Sequence, residues 1–497
     1  VPESLPMPRR RDPGSSASRF RRPAAGGLVA VLTTAAVAST AAATPPTADV
    51  DGQLQELREM LERIEQDNRV MRQDIDTLKA ETDADWLSAA RADDVRGMVE
   101  DVLNDAGSRT SLQGNGLLAG WDGGFFLQDP DGRFRLQLDG QVQVRFVLNH
   151  LREPTLDRWR SGFENTRTKL TLSGWIIDPN IEYLVRTDPT RNEPGLVTGL
   201  FYLRDAWLRY RFDNAWSLRM GQFKLPFNRE ELVSSQFQQA VERSLVNETL
   251  NIGRSQGIEL QWSSGDHAVS VATSDGSADE IGGTNPFGLV DSTPRVNTPA
   301  LNEDVEWALA ARYERLLAGE WSQFRDLTSP PGDPFGMLVG VGVQGNKTEN
   351  NGEPGPNRDE ADWFGATVDA SVEWGGANLF GSMIYHHINN GSFGQFDIFG
   401  IVVQGGVYIA PRHELFARWE YGWYQEDVEN FVVGDLNVVT AGWNWYIDGH
   451  DVKLSVDAGL SLDELDRAWD ADIAGWRADA DGDEHQFVIR TQFQLLF

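Results

Sequence analysis

The chain has 497 residues, of which 75 are acidic and 44 basic, for a formal net charge of −31. Such acidity argues against nucleic acid as a partner, since binding phosphates takes clustered lysine and arginine. The chain has no cysteine, so neither disulfides nor thiolate metal sites contribute to it, and at 40% hydrophobic residues it is not built of membrane-spanning helices.

Residues 1–43 read as a secretory signal peptide. Arg9, Arg10, Arg11, Arg19, Arg21 and Arg22 precede an apolar run from Ala24 to Ala43, which closes on small residues in "ASTAAATPP". A basic leader, a short apolar core and an Ala-x-Ala exit make an export signal. The alternative, an uncleaved helical anchor, is disfavoured by the weakly apolar Ala/Thr content of the run. Residues 44–52 form a polar linker.

Leu54, Leu57, Leu61, Ile64, Asn68, Met71, Ile75 and Leu78 are spaced alternately by three and four. This heptad seam with charged flanks predicts an N-terminal α-helical coiled coil over 53–106, a stalk that pairs with partner helices. Asn68 sits at a seam position where a polar side chain sets register. Mixed Leu and Ile leave two or three helices open. Residues 107–119 form a second linker, and residues 120–497 form the main domain.

From there the period changes to two. "FRLQLDGQVQVRF" sets Phe134, Leu136 and Leu138 against Arg135, Gln137 and Asp139, and "VEWALAARYER" sets Trp307, Leu309 and Tyr313 against Glu306, Arg312 and Glu314. The alternation recurs in about sixteen segments, the last being "QFVIRTQFQLLF", with Phe487, Ile489, Phe493, Leu495 and Phe497 on one face. So many half-polar strands, with no helical block after residue 245 to cover their apolar faces, predict an all-β transmembrane barrel of antiparallel strands facing lipid. Trp216, Trp262, Trp307, Trp363, Trp374, Tyr385, Trp419, Trp445, Tyr446 and Phe497 lie near strand ends, as membrane-interface aromatics do.

Residues Arg229 to Asn247 have no strand alternation, and the stretch is too long for a tight turn. It reads either as a segment packed inside the lumen, with "EELVSSQFQQAVERSL" helical in character, or as a surface loop over the mouth. Lys224, Arg229, Glu230, Glu231, Glu242 and Arg243 are the constriction candidates, because charged rings at a narrow point set ion selectivity. Arg135, Arg145, Arg167, Arg204, Arg209, Arg219, Arg312 and Arg418 lie on polar strand faces. They form a basic lumen path if unpaired, and are ordinary paired residues otherwise.

The segment Leu203 to Leu245, with "GQFKLPF" at Gly221–Phe227 followed by "EEL", "SS" and "ERSL", resembles the phosphate-selective porin O and P family. "GWDGGFFLQDPDGRFRLQLDGQVQ", "HELFARWEY" (His413–Tyr421) and "GWNWYIDG" (Gly442–Gly449) match as well. The resemblance implies a trimeric sixteen-stranded outer-membrane porin for ion transport, with its third external loop folded into the lumen. It also implies that the stalk contacts the cell wall. Anion-selective members present lysines on this loop; here the stretch has Glu231 and Gln236, so phosphate does not carry over directly.

The remaining motifs are weak. "DELDRAWDADIAGWRADADGDEH" (463–485) offers alternate carboxylates but lacks the full calcium-loop pattern, and reads as a solvated acidic loop on the external side. Ser255 in "GRSQG" lies between loop and strand, the wrong context for a nucleophile elbow, and His386 and His387 point to opposite faces. No metal site, cofactor or catalytic residue is expected. The expected function is passive diffusion of small hydrophilic solutes, anions such as phosphate among them, through a homotrimer embedded in outer-membrane lipid. A structural envelope anchor and a barrel-based hydrolase are the alternatives.

Overall fold

The computed structural model describes Gln66 and residues 117–151, 159–189, 201–277, 305–348, 360–390, 394–426, 434–469, 474–477 and 485–497. The expected signal peptide, linkers and coiled-coil seam lie outside these residues, apart from Gln66.

One antiparallel sheet of eighteen strands contains all the strands described. A short hairpin, β1 (Leu118–Trp121) and β2 (Phe125–Gln128), precedes the long ones. These are β3 (Phe134–His150), β4 (Trp159–Ile176), β5 (Asp178–Pro189), β6 (Phe201–Arg211), β7 (Trp216–Lys224), β8 (Arg254–Ser264), β9 (His267–Ser274) and β10 (Val305–Ala318). There follow β11 (Gly336–Thr348), β12 (Ala361–Trp374), β13 (Ala377–Asn390), β14 (Gly394–Ala410), β15 (His413–Glu426), β16 (Leu436–His450), β17 (Val452–Ser461) and β18 (Phe487–Leu496). Each long strand pairs with the next, and β18 returns to β3 with Leu496 opposite Gln141 and Phe487 opposite His150. The result is a closed sixteen-stranded barrel, in which no long strand has an open edge.

The C-terminus marks the seam. Gly140 and Phe497 exchange backbone hydrogen bonds, and β2 takes up the β3 edge just beyond, pairing Gln128 with Arg135. Gly140 is required to be small: a Cβ there would fall 2.3 Å from the Phe497 ring.

The side-chain alternation follows from the two environments. Leu208, Met220, Leu309, Val341, Val368, Met383, Val407 and Phe493 are exposed on the outside, as hydrocarbon contact demands, while Arg209, Arg219, Arg312, Asp369 and Gln494 turn inward. No helix among the described residues is long and apolar enough to cross a membrane.

Two of the expected interface aromatics face inward instead. Trp363 is buried, and the Tyr446 hydroxyl donates to Glu414 Oε2 at 2.7 Å. Period two requires this, since Trp445 next to Tyr446 is on the outer face.

Connections at the Phe497 end are mostly tight, such as Ile177 between β4 and β5 and Gly375–Gly376 between β12 and β13. The opposite end carries the long ones, including 225–253 and 462–486. An exception at the tight end is the connection between β10 and β11, residues 319–335.

Candidate functional site

The connection from β7 to β8 lies inside the barrel, not over its mouth. Asn228 caps a short helix at Arg229–Leu232, its side chain accepting from Glu231 N at 3.2 Å. A 3-10 turn follows at Ser235–Phe237, then extended chain, and a second helix at Leu245–Leu250 capped by Ser244. The expected continuous helical character is therefore broken between Gln238 and Ser244. There the backbone bonds to the barrel wall instead of to itself.

Those wall bonds define the site. Lys453 Nζ donates to Gln238 O at 2.8 Å, Asn444 Nδ2 to Gln239 O at 2.9 Å, and Arg418 Nη1 to Glu242 O at 2.8 Å. Val241 N donates to Asp457 Oδ2 at 3.0 Å. Arg229 Nε reaches Ser371 on β12 at 2.9 Å. Apolar contacts complete the seat: Phe227, Leu245, Val246 and Leu250 pack with inward Ile384, Ile398, Val402 and Val438. Gly400 makes room, as a Cβ there would lie 2.4 Å from Val246 Cγ1. The lumen wall is thus not uniformly polar; it is apolar under the loop.

All six constriction candidates lie within this one assembly. Glu231 is held by Lys224 Nζ at 2.8 Å and Arg243 Nε at 3.3 Å. Burial alone would raise its carboxyl, but Arg243, Lys224 and Arg254 overcome that and hold it well below the usual carboxylate range. Glu230 accepts from Ser244 N and Oγ, both at 2.7 Å. Glu242 binds Arg145 Nη1 and Arg167 Nη2, each at 2.5 Å. These charges fasten the loop and are themselves buried, Lys224 only partly.

Arg167 is tied to the loop through Glu242, and, Arg135 aside, the other basic candidates divide into two sets. Arg145, Arg312 and Arg418 are 1%, 3% and 2% exposed, sealed beneath the loop and paired with Glu164 and Glu242, with Asp369 and Glu314, and with Glu420. Arg135 sits at the tight-turn end, 2.8 Å from Asp122. Arg204, Arg209 and Arg219 are 31%, 21% and 14% exposed on the wall that the loop leaves open. That wall, β5 to β8, also carries Arg186, Arg211 and Arg254, while Lys169 on the neighbouring β4 reaches the loop, donating to Ser235 Oγ at 2.8 Å. Its inward acids are Glu182, Asp188, Asp205 and Glu259, each paired to an arginine, while Glu164 on β4 pairs with the sealed Arg145. Basic side chains outnumber acidic ones there, against the balance of the whole chain.

Two further inward segments were not foreseen from the sequence. Residues 319–335 reach from the tight-turn end to the far wall and the loop. Arg229 Nη2 donates to Phe324 O at 2.7 Å, Thr328 Oγ1 to Glu414 Oε1 at 2.8 Å, and the Arg325 guanidinium lies 4.4 Å from the Phe237 ring centroid. "FRDLTSPPGDPF" is far too long for a hairpin turn, which was the available signal. The acidic connection 462–486 also turns inward: Leu465, Ala468, Trp469, Ala474 and Trp476 are buried. Trp469 Nε1 donates to Gly434 O at 2.8 Å. The expectation of a wholly solvated loop is corrected at these residues. The "DADGDE" part lies outside the described residues.

Of the weak motifs, Ser255 is a buried residue of β8. His386 is buried in the lumen, with Nε2 3.0 Å from Leu250 O, while His387 faces outward beside Asp397 at 2.7 Å. The expected divergence of the two imidazoles is found.

A closed barrel with a long loop pinned inside it is the architecture of a porin-like outer-membrane channel. The phosphate-selective porin O and P family model matches residues 136–314, which contain the segment that carried the resemblance. Similar solved structures include the anion-selective porin from Comamonas acidovorans, 11% identical, covering 73% of this chain and 99% of that one at a TM-score of 0.49. The outer membrane channel DcaP of Acinetobacter baumannii is 12% identical, covering 76% and 100%, at a TM-score of 0.48. OmpF of Salmonella typhi is 12% identical, covering 76% and 100%, at 0.45. No curated protein sequence matches the chain.

Proposed function

We propose that the protein is an outer-membrane channel for passive diffusion of small hydrophilic solutes, with a preference for anions that include phosphate. The observation that carries the reading is the basic excess on the wall from β5 to β8, in a chain whose formal charge is −31. Field lines inside a narrow low-dielectric pore respond to that local wall more than to distant surface charge. The loop 225–253 narrows the lumen opposite that wall, and Lys224, Arg229, Glu230, Glu231, Glu242 and Arg243 set the constriction by holding the loop in place. Residues 1–43 direct export, and the helix at 53–106 joins the barrels of a homotrimer and reaches toward the cell wall. The test is a planar-bilayer measurement under a potassium chloride gradient: stepwise conductance with an anion-directed reversal potential supports the proposal. A cation-directed potential removes the anion preference and leaves the channel.

A further inference from the structure

Two arginines on the open wall stand directly opposite each other. Arg209 of β6 and Arg219 of β7 are register partners, flanked by Glu182 opposite Arg209 on β5 and Glu259 opposite Arg219 on β8. Like charges facing across a strand pair are unfavourable unless something offsets them. The flanking acids do so incompletely. Glu182 is shared: its Oε1 lies 2.6 Å from Arg211 Nη2, and its Oε2 lies 3.4 Å from Arg209 Nη1. Glu259 serves Arg219. This rung therefore keeps about one positive charge in excess.

The guanidinia also rest on aromatic rings. Arg209 Cζ is 4.8 Å and Arg219 Cζ 5.6 Å from the Trp207 centroid, and Arg219 Cζ is 4.2 Å from that of Phe223. Stacking holds the guanidinium planes and leaves their edges for a planar oxyanion, the geometry arginine recognises best. The Nε–H groups of Arg209 and Arg219 have no acceptor among the described residues. Both are sealed from solvent, so an incoming oxyanion is held by the terminal Nη groups of these partly exposed side chains.

We infer that this rung is a binding subsite for a monocarboxylate carried on an aromatic ring. It rests on the anion reading above and narrows it. One excess charge matches a monoanion, whereas a second charge on the solute would meet Glu182 and Glu259. The half-buried indole of Trp207, beside both guanidinia, supplies an apolar surface for the ring of the solute.

The experiment uses the full-length protein in planar bilayers, with chloride current titrated by benzoate, acetate and phosphate. Benzoate is expected to half-block at a concentration about tenfold below either of the others, tenfold corresponding to 1.4 kcal/mol. Trp207→Leu should bring benzoate to the level of acetate, and Arg219→Gln should weaken both carboxylates. Phosphate or acetate blocking as well as benzoate in the unmodified protein overturns the inference, and needs no variant to fold. That outcome with an anion-directed reversal potential leaves the broader proposal intact; a cation-directed potential overturns this inference and the anion preference together, and leaves the channel.

Discussion

Arg490 and Asp457, both fully buried, pair across β17 and β18 with Nε–Oδ1 at 2.7 Å and Nη2–Oδ2 at 3.1 Å. The same two side chains hold both inward connections. Asp457 Oδ2 accepts from Val241 N of the 225–253 loop, and Arg490 Nη1 donates to Ala474 O of the acidic connection. One ion pair on the wall thereby fixes two separate segments of the pore lining.

Asp457→Asn should leave the Arg490 guanidinium buried beside a neutral partner, a loss of about 3–5 kcal/mol. Thermal unfolding in detergent should show a lowered midpoint, and single-channel records should become noisier as both segments loosen. Replacing the pair together, Asp457→Leu with Arg490→Met, should recover most of the stability. The noise should persist, because Val241 N and Ala474 O still lack their partners.

The Glu231 cluster predicts a pH profile. Its folded carboxyl is held below the usual range, so its contribution is complete above the free carboxylate's value and is lost only as pH falls through the lower folded one. Conductance steps should be the same from roughly pH 6 down to roughly pH 4, near the ordinary carboxylate value, and should destabilise only in stronger acid. Glu231→Gln should show the loosened behaviour at every pH. A wild-type transition centred between pH 4 and 6 would contradict the assignment.

Position on the open or the sealed wall should separate two kinds of arginine. Arg186→Glu and Arg204→Glu change charge where solute passes. At 4 Å in water a unit charge is worth about 1 kcal/mol, a roughly fivefold change in local ion concentration. The salt-gradient reversal potential should move toward cations. Arg312→Gln lies under the loop, doubly bonded to Asp369 at 2.8 and 2.9 Å. It should lower the unfolding midpoint and shift selectivity little. Equal selectivity shifts at Arg204 and Arg312 would erase the distinction between the walls.

The barrel was legible because lipid imposes one rule on every second residue, whatever lies inside. Leu208 and Met220 obey it, and Trp307 and Phe493 obey it as well. The interior was less legible because its rule changes around the circumference. Where the loop sits, inward positions are Ile384, Val402 and Val438; where it does not, they are Arg186, Arg209 and Arg219. Tyr446 looked like an interface residue because nothing near it in sequence reveals Glu414 as its partner. The loop's path was equally hidden, since Gln239 O and Val241 N find partners more than two hundred residues away. The sequence nevertheless held one trace of the loop's seat, the glycines of β14.

Gly400 illustrates that trace and can be tested. An added Cβ would come within 2.4 Å of Val246 Cγ1 and 2.8 Å of Leu250 Cδ1. Both leucine-helix residues are fully buried, so neither can swing into open space. Gly400→Val should therefore lift the helix Leu245–Leu250 from the wall. Overpacking of this kind costs about 1–3 kcal/mol, and the displaced helix should move further into the open lumen. Single-channel conductance should fall while the barrel itself still forms, because β14 keeps its backbone bonds to β13 and β15. Gly381 on β13 is the control: its nearest foreign atom to an added Cβ is 3.8 Å away. Gly381→Val should leave conductance unchanged. A conductance loss equal in the two variants would mean that glycine content, not the seat of the helix, sets the width of the pore.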